Sequence, residues 1–245
     1  MKVKAIRVHK IGGPEVLTWE EVEIGEPSEG EIRIKNKAIG VNYVDIYYRT
    51  GLHQEPLPFV PGKEAVGVVS AVGPGVTGIE VGDVVGYADT PMGTYTEEQI
   101  IPATLAIPIP PSVDHITAAS VLLKGMTTYV LVKQAFKIQA GHTVLVHAAA
   151  GGVGSLLCQW ANLASKSLIL GRPGMRHYTA TRDELLHAAG EVFAGVAAGV
   201  LRVRVNHVYP LHEAARAHAD LEARRTSGSV VFDQFAGGRS VIMNM

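Results

Sequence analysis

The chain has 245 residues, 47% hydrophobic and 18% charged, with a formal net charge of −1 and a pI near 6.8. This is ordinary globular composition, long enough for one large or two modest domains; with no basic stripe, it argues against a nucleic-acid partner. The lone cysteine, Cys158, excludes an intramolecular disulfide and suits a reducing compartment.

Residues 1–110 read as β-rich. The start, "MKVKAIRVHK", is charged and lacks the apolar core of a signal peptide, and no run reaches the ~18 apolar residues of a membrane span. The expectation is a cytoplasmic protein with no membrane partner. Apolar–polar alternation marks strands in "KAIRVHK", "LTWEEVEI" and "GEIRIKNKAIGVN". Gly12-Gly13-Pro14 and Glu26-Pro27 punctuate them. "EAVGVVSAVGPGV" is a buried strand closed by Gly73-Pro74-Gly75, and "GIEVGDVVGYA" adds a Gly82-Asp83 turn and another strand. "YTEEQIIPATLAIPIPP" is extended and broken by prolines. Short strands with many glycines suggest a small closed β structure.

After Pro111 the texture changes. "SVDHITAASVLLKGMTTYVLVKQAF" has helical apolar spacing, with Ser112 or Thr117 as N-cap and Gly125 as a break. "HTVLVHAAAGGVGSLLCQWANLA" reads as a strand over Val144–His147, a glycine turn, and a helix from about Val153. "SKSLILGRPG" is a short strand. "TRDELLHAAGEVFAGVAAGV" is a helix with a Thr181/Glu184 capping box. "LRVRVNHVYP" is a strand, "LHEAARAHADLEARR" a helix and "GSVVF" a last strand. The tail has no period.

The glycine turn carries the chemistry. Gly151 and Gly152 permit close approach of backbone to a pyrophosphate. Gly154 has no side chain to hold helix and strand apart, and the first helical N–H groups face the phosphates. Against G-x-G-x-x-G, Ala149 stands at the first glycine. The same stretch also reads as a glycine-rich turn without a ligand. An acidic residue for the ribose hydroxyl is due about 20 residues on, but "SLILGRPGMR" has none. Arg172 or Arg176 can serve a 2′-phosphate instead, or simply face solvent.

"AGHTVLVHAAAGGVGSLLCQWAN" resembles the quinone oxidoreductase signature of the zinc-independent medium-chain dehydrogenase/reductases, the zeta-crystallin type. Gly141, His142, Leu145, Ala149, Ala150, Gly151, Gly152, Gly154 and Gln159 match it, and Asn162 departs from it. "HKIGGPEVL", "KAIGVNYVDIYYRTG", "PFVPGKEAVGVVSAVGPGV", "LLKGMTTYVL" and "YPLHEAARAHADLEARRTSG" are similar to further segments of bacterial members. The resemblance implies an α/β fold: a GroES-like β-rich catalytic domain over 1–117, a truncated Rossmann cofactor region over 118–171, a C-terminal return to the catalytic domain over 172–233, and a tail over 234–245. It implies NADPH as cofactor, a quinone as substrate, and a homodimer. Compared with the family, on the order of 90 residues are missing after "CQWANLA", most of the sheet of a doubly wound domain. Helices 118–134 and 153–164 are therefore expected to expose apolar surface, and NADPH affinity in the monomer is expected to be weak or absent.

Zinc does not suit this sequence. Catalytic and structural zinc sites in such folds use cysteine thiolates, and Lys63 of "PGKEAVG" stands where zinc-dependent relatives resemble G-H-E. Reduction then rests on hydride from a nicotinamide. By resemblance, Asn42 and Tyr47 are the catalytic pair beside the nicotinamide or the quinone. Asn42 would hold the carboxamide or a quinone oxygen, and Tyr47 would stack or donate. The resemblance brings Lys124 and Thr127 to the cofactor, along with Ala150, Gly151, Gly152, Val153 and Gly154. It gives Arg224 a cofactor phosphate. Each also has a plain structural reading: a turn residue for Asn42, a half-buried aromatic for Tyr47, a solvated lysine at a helix break for Lys124, a helix-end arginine for Arg224. Cys158 reads as a small buried hydrophobe. Two alternatives remain: a shortened, non-catalytic structural or binding module, and a related reductase of enones or aldehydes.

Overall fold

In the computed structural model, the described residues are 1–89, 91–139, 145–161 and 178–234. The N-terminal alternation becomes strand where the sequence places it. β1 (Lys2–Val8) and β2 (Leu17–Glu23) form an antiparallel pair. Bridges Ala5–Thr96 and Val8–Phe59 tie it to the rest. The centre of the main sheet is β3 (Glu31–Val41), covered on both faces: Ile32, Ile34, Ala38 and Ile39 are almost completely buried, in three different clusters. One edge of β3 carries β4 (Glu64–Val72), followed outward by β5 (Val84–Ala88) and β7 (Ile107–Pro108). The other edge is shared: β6 (Glu98–Pro102) pairs with its first half and β9 (Ser229–Asp233) with its second. Irregularities at Arg33/Ile34 and Asn36/Ala38 interrupt the β3–β4 register and let the sheet curl. The turn before β5 uses Gly82 at φ +102°, where a side chain would be strained.

One short helix, α1 (Tyr43–Arg49), follows β3 directly. The long helix α2 (His115–Tyr129) lies across the sheet and continues as a π-helical stretch to Ala135. Its N-cap is Asp114, in place of Ser112 or Thr117. The Asp114 carboxylate accepts from Thr117 N at 2.9 Å and Thr117 Oγ1 at 2.6 Å, a charge-assisted cap that a hydroxyl cannot match. By length and composition, His115–Ala135 could cross a membrane, but 67% of its apolar window is buried inside the fold.

Gly125 does not break α2. A Cβ there would meet Val192 Cγ1 at 2.6 Å, so the glycine lets α4 (Arg182–Ala197) sit close against α2. α4 starts at the expected capping box, with Glu184 N donating to Thr181 Oγ1 and Thr181 N to Glu184 Oε2 at 3.0 Å. Its stripe Leu185, Ala188, Ala189, Val192 and Phe193 faces the core, the period of a one-sided helix. Val121, Leu122 and Met126 of α2 are fully buried, Leu122 against Gly86 of β5 and all three in one cluster with the α4 stripe. The expectation that helix 118–134 exposes apolar surface is thus corrected, because α4 covers the face left by the missing sheet.

α3 (Gly152–Ala161) packs Leu156 and Trp160 inward. Gln159 anchors it to the loop after α4, its Oε1 accepting from Arg202 N at 2.6 Å. Cys158 is exposed, which corrects its reading as a buried hydrophobe. Two positions from Leu156, at ~100° per residue, it points away from the core.

β8 (Val205–Tyr209), α5 (Ala214–Glu222) and β9 close the chain, with β8 parallel to β9. β8 starts later than its alternation from Leu201 suggests, since buried Leu201 packs in the α2–α4 cluster. Leu145 and Val146 are not in a strand, and Leu145 is 53% exposed. A buried parallel strand needs neighbours on both edges, and the segment that would supply them is missing from this sequence. Val144, the strand read in "SLIL", Arg172, Arg176 and residues 235–245 lie outside the described residues.

Candidate active site

The glycine turn opens into a cavity of about 780 Å³, within the range of small-molecule sites. Its floor is the turn and the start of α3. The first backbone bond of α3 runs from Ser155 N to Gly151 O at 2.9 Å, so the amides of Gly152, Val153 and Gly154 precede the helical ladder. Gly151 is bridged to Gly228, and Gly228 N donates to Ala150 O at 3.2 Å. Gly154 cannot carry a side chain: a Cβ would overlap Ala148 O and lie 2.8 Å from Ala148 C. Gly152 faces Lys124, whose Cδ would be 2.7 Å from an added Cβ.

Val41, Asn42 and Tyr43 form the opposite wall, and Leu221, Arg224 and residues 226–228 the rim. Of the residues singled out from sequence, Asn42, Lys124, Ala150, Gly151, Gly152, Val153, Gly154 and Arg224 all line this one cavity. Arg224 is exposed, with φ +56°, just past the end of α5. It makes no ion pair among the described residues.

Tyr47 and Thr127 do not line the cavity. Tyr47 sits one turn further along α1, with its ring 5.5 Å from the Tyr43 ring and 5.4 Å from His53. Tyr43, half exposed, takes the place at the wall. Thr127 faces its own helix, and its Oγ1 donates to Leu123 O at 2.7 Å.

Lys124 is no solvated lysine. It is buried, and its Nζ donates to Glu64 Oε2 at 2.9 Å. Asn42 Nδ2 donates to the same oxygen at 3.0 Å, and Leu123 N to Glu64 Oε1 at 2.8 Å. Glu64 is completely buried, and sequence reasoning missed it. The signal was available: an acidic residue opens the apolar run of β4 at a position where a carboxylate needs partners. The neighbouring Lys63 turns elsewhere, donating to Asp89 O at 3.0 Å and Asp89 Oδ1 at 3.2 Å.

A second buried polar line ties α1 to α5. Asp45 Oδ2 accepts from Asn42 N at 2.8 Å and from Tyr95 Oη at 3.0 Å, and Tyr95 Oη lies 3.1 Å from His218 Nε2. Burial pushes the Asp45 carboxyl up to about 7 and the Tyr95 hydroxyl well above its usual value. Burial, and then the Arg49 charge, holds His218 down at about 3, so it stays neutral. Arg49, fully buried, donates to Glu222 Oε1 at 2.6 Å. These bonds fix α1, and with it the Asn42 backbone, against α5.

The chain matches two family descriptions in succession: an alcohol dehydrogenase GroES-like domain over 28–111 and a zinc-binding dehydrogenase over 114–232. A quinone oxidoreductase of Pseudomonas aeruginosa is 32% identical over 320 positions, covering 93% of this chain and 98% of the relative. The chain belongs to the quinone oxidoreductase family. Its fold is α/β, a GroES-like β-rich domain with a truncated Rossmann-type region. Escherichia coli quinone oxidoreductase, solved in complex with NADPH, superposes with a TM-score of 0.88 at 31% identity, over 94% of this chain and 99% of that one. A 2-haloacrylate reductase from a Burkholderia species is 31% identical over 328 positions, 94% of this chain and 98% of its own. Aligning 320 positions to 245 residues leaves at least 75 family positions without a counterpart here. Among the described residues no group of three or more His, Cys, Asp or Glu could hold a metal ion.

Proposed function

We propose that this chain is an NADPH-dependent quinone reductase that uses no metal and works in the cytoplasm as a homodimer. One observation carries the reading: the amides that start α3, Lys124, Arg224 and Asn42 converge on one cavity. The fit to a dinucleotide is physical. Glycine at 154 is enforced by the Ala148 backbone, the α3 N-terminus favours a diphosphate, and Arg224 adds an exposed cation at the rim with no ion pair among the described residues.

When bound, NADPH supplies a hydride, and with one solvent proton the quinone leaves as hydroquinone and the cofactor as NADP⁺. The protein's share is positioning. The amides of Gly152–Gly154 and the Ala150–Gly151 backbone hold the diphosphate, with Lys124 beside them. Arg224 takes a phosphate at the rim. Asn42 orients the ring face, while Tyr47 supports Tyr43 as the aromatic wall. Thr127 acts through Leu123 and the Lys124 turn. A quinone accepts hydride readily, so no Lewis acid is required. The homodimer reading is supported by exposed Leu145 and Val208 and by β8, the last strand of the sheet among the described residues.

The test is NADPH consumption, followed by absorbance, with a simple para- or ortho-quinone. Enzyme-dependent loss of NADPH is expected. No turnover by folded protein would assign the chain to a non-catalytic binding role. Turnover of an α,β-unsaturated acid but not of quinones would shift the substrate class toward that of the Burkholderia relative.

A further inference from the structure

Asn42 leaves two roles open in principle, since a primary amide can donate to a quinone oxygen or accept from a nicotinamide carboxamide. Its surroundings remove one of them. Nδ2 donates to Glu64 Oε2 at 3.0 Å and lies 3.4 Å from Gly40 O. Both acceptors belong to the protein, so both amide hydrogens are committed away from any ligand. Every partner of Glu64 is a donor, which holds the NH₂ end of Asn42 toward it; Oδ1, which caps α1 at the Asp45 amide, keeps its second lone pair for the cavity. Glu64 itself is held by Lys124 and by the Leu123 backbone. It is fully buried, and β3 makes room for it with Gly40, where a Cβ would collide with the carboxylate and lie 2.5 Å from Ala119 O.

We infer that Glu64 is a positioning residue that sets the hydrogen-bonding polarity of the cavity, presenting Asn42 Oδ1 as an acceptor for the NH₂ group of the nicotinamide carboxamide. A quinone oxygen, itself an acceptor, gains nothing from Asn42 in this arrangement. The inference rests on the assignment of the cavity to a nicotinamide cofactor.

The experiment is a binding titration by calorimetry, independent of turnover, with NADP⁺ and with its 3-acetylpyridine analogue, in which a methyl replaces the NH₂. Wild type is expected to bind NADP⁺ about ten-fold more tightly, the worth of one hydrogen bond. In Glu64→Gln, three protein donors compete for one amide oxygen and Asn42 is free to turn, so the ratio should fall to about two-fold or less. A merely structural role would weaken both ligands together and leave the ratio intact. Asn42→Ala should collapse the ratio in the same way, and covers the case in which Glu64→Gln does not fold. Equal affinities in wild type, or an undiminished ratio in either folded variant, would overturn the inference while leaving the reductase reading standing. If wild type bound neither ligand, both would fall.

Discussion

Replacing Asp45 with Asn tests the buried polar line that holds α1. Asp45 is fully enclosed, and burial raises its carboxyl from 3.8 to about 7. This outweighs the bonds from Asn42 N and Tyr95 and the attraction of Lys124, and the repulsion of Glu64 adds to it. A folded pKa above the unfolded value means that the native state binds the proton more tightly. The contribution is therefore complete below about 3.8 and disappears as pH rises through 7. A shift of about three units corresponds to roughly 4 kcal/mol in full. Between pH 5 and pH 8, wild type should lose about 3 kcal/mol relative to Asp45→Asn, because roughly two units of the shift fall in that window. His218 has the opposite sign. Its pKa is lowered from 6.5 to about 3, so its contribution is present above 6.5 and fades as pH falls. It is common to both proteins and cancels in the difference. Urea unfolding followed by circular dichroism at pH 5, 6, 7 and 8 measures that difference. Parallel stability–pH curves would refute the argument that Asp45 is protonated in the fold at low pH.

Other consequences are simpler. Gly154→Ala pushes a methyl into the Ala148 carbonyl, so the turn must open; NADPH binding should fall at least ten-fold in a fluorescence titration, the cost of misplacing two or three amides. Met126→Ala removes a fully buried side chain under α4 and should cost about 2–5 kcal/mol of stability in urea unfolding. Gly125→Val should cost about 1–3 kcal/mol in the same assay by forcing Val192 away. Cys158 is exposed and should react completely with a thiol reagent in the native protein; reaction only after denaturation would contradict its outward placement.

The β-rich half was legible because its signal is local. Alternation marks β1 to β3, and turn glycines bound β4 and β5, without reference to anything distant; the stretch that holds β6 and β7 reads only as extended. The Thr181/Glu184 box is likewise local, and it marked α4 correctly. What the sequence concealed depends on partners far along the chain. Gly125 looks like a helix break until α4, some 60 residues later, arrives to pack on it. The strand before the glycine turn is written in its apolar residues, yet Leu145 and Val146 pair with no strand among the described residues. Within the site, the glycine turn, Lys124 and Arg224 were readable from a motif. Glu64 and Tyr43 were not, because burial of a carboxylate under three donors, and which of two tyrosines reaches a wall, are set in three dimensions. Cys158 shows the limit from the other side, since one residue type fits a core or a surface and only helical phase decides.

The most direct test of the whole account is a titration of NADPH into the folded protein, followed by cofactor fluorescence and repeated with Gly154→Ala and Arg224→Ala. The account predicts saturable binding, weaker than micromolar because the segment that would cover the adenosine is missing, and further weakened by each substitution. No saturation at millimolar NADPH, or binding indifferent to both substitutions, would contradict it.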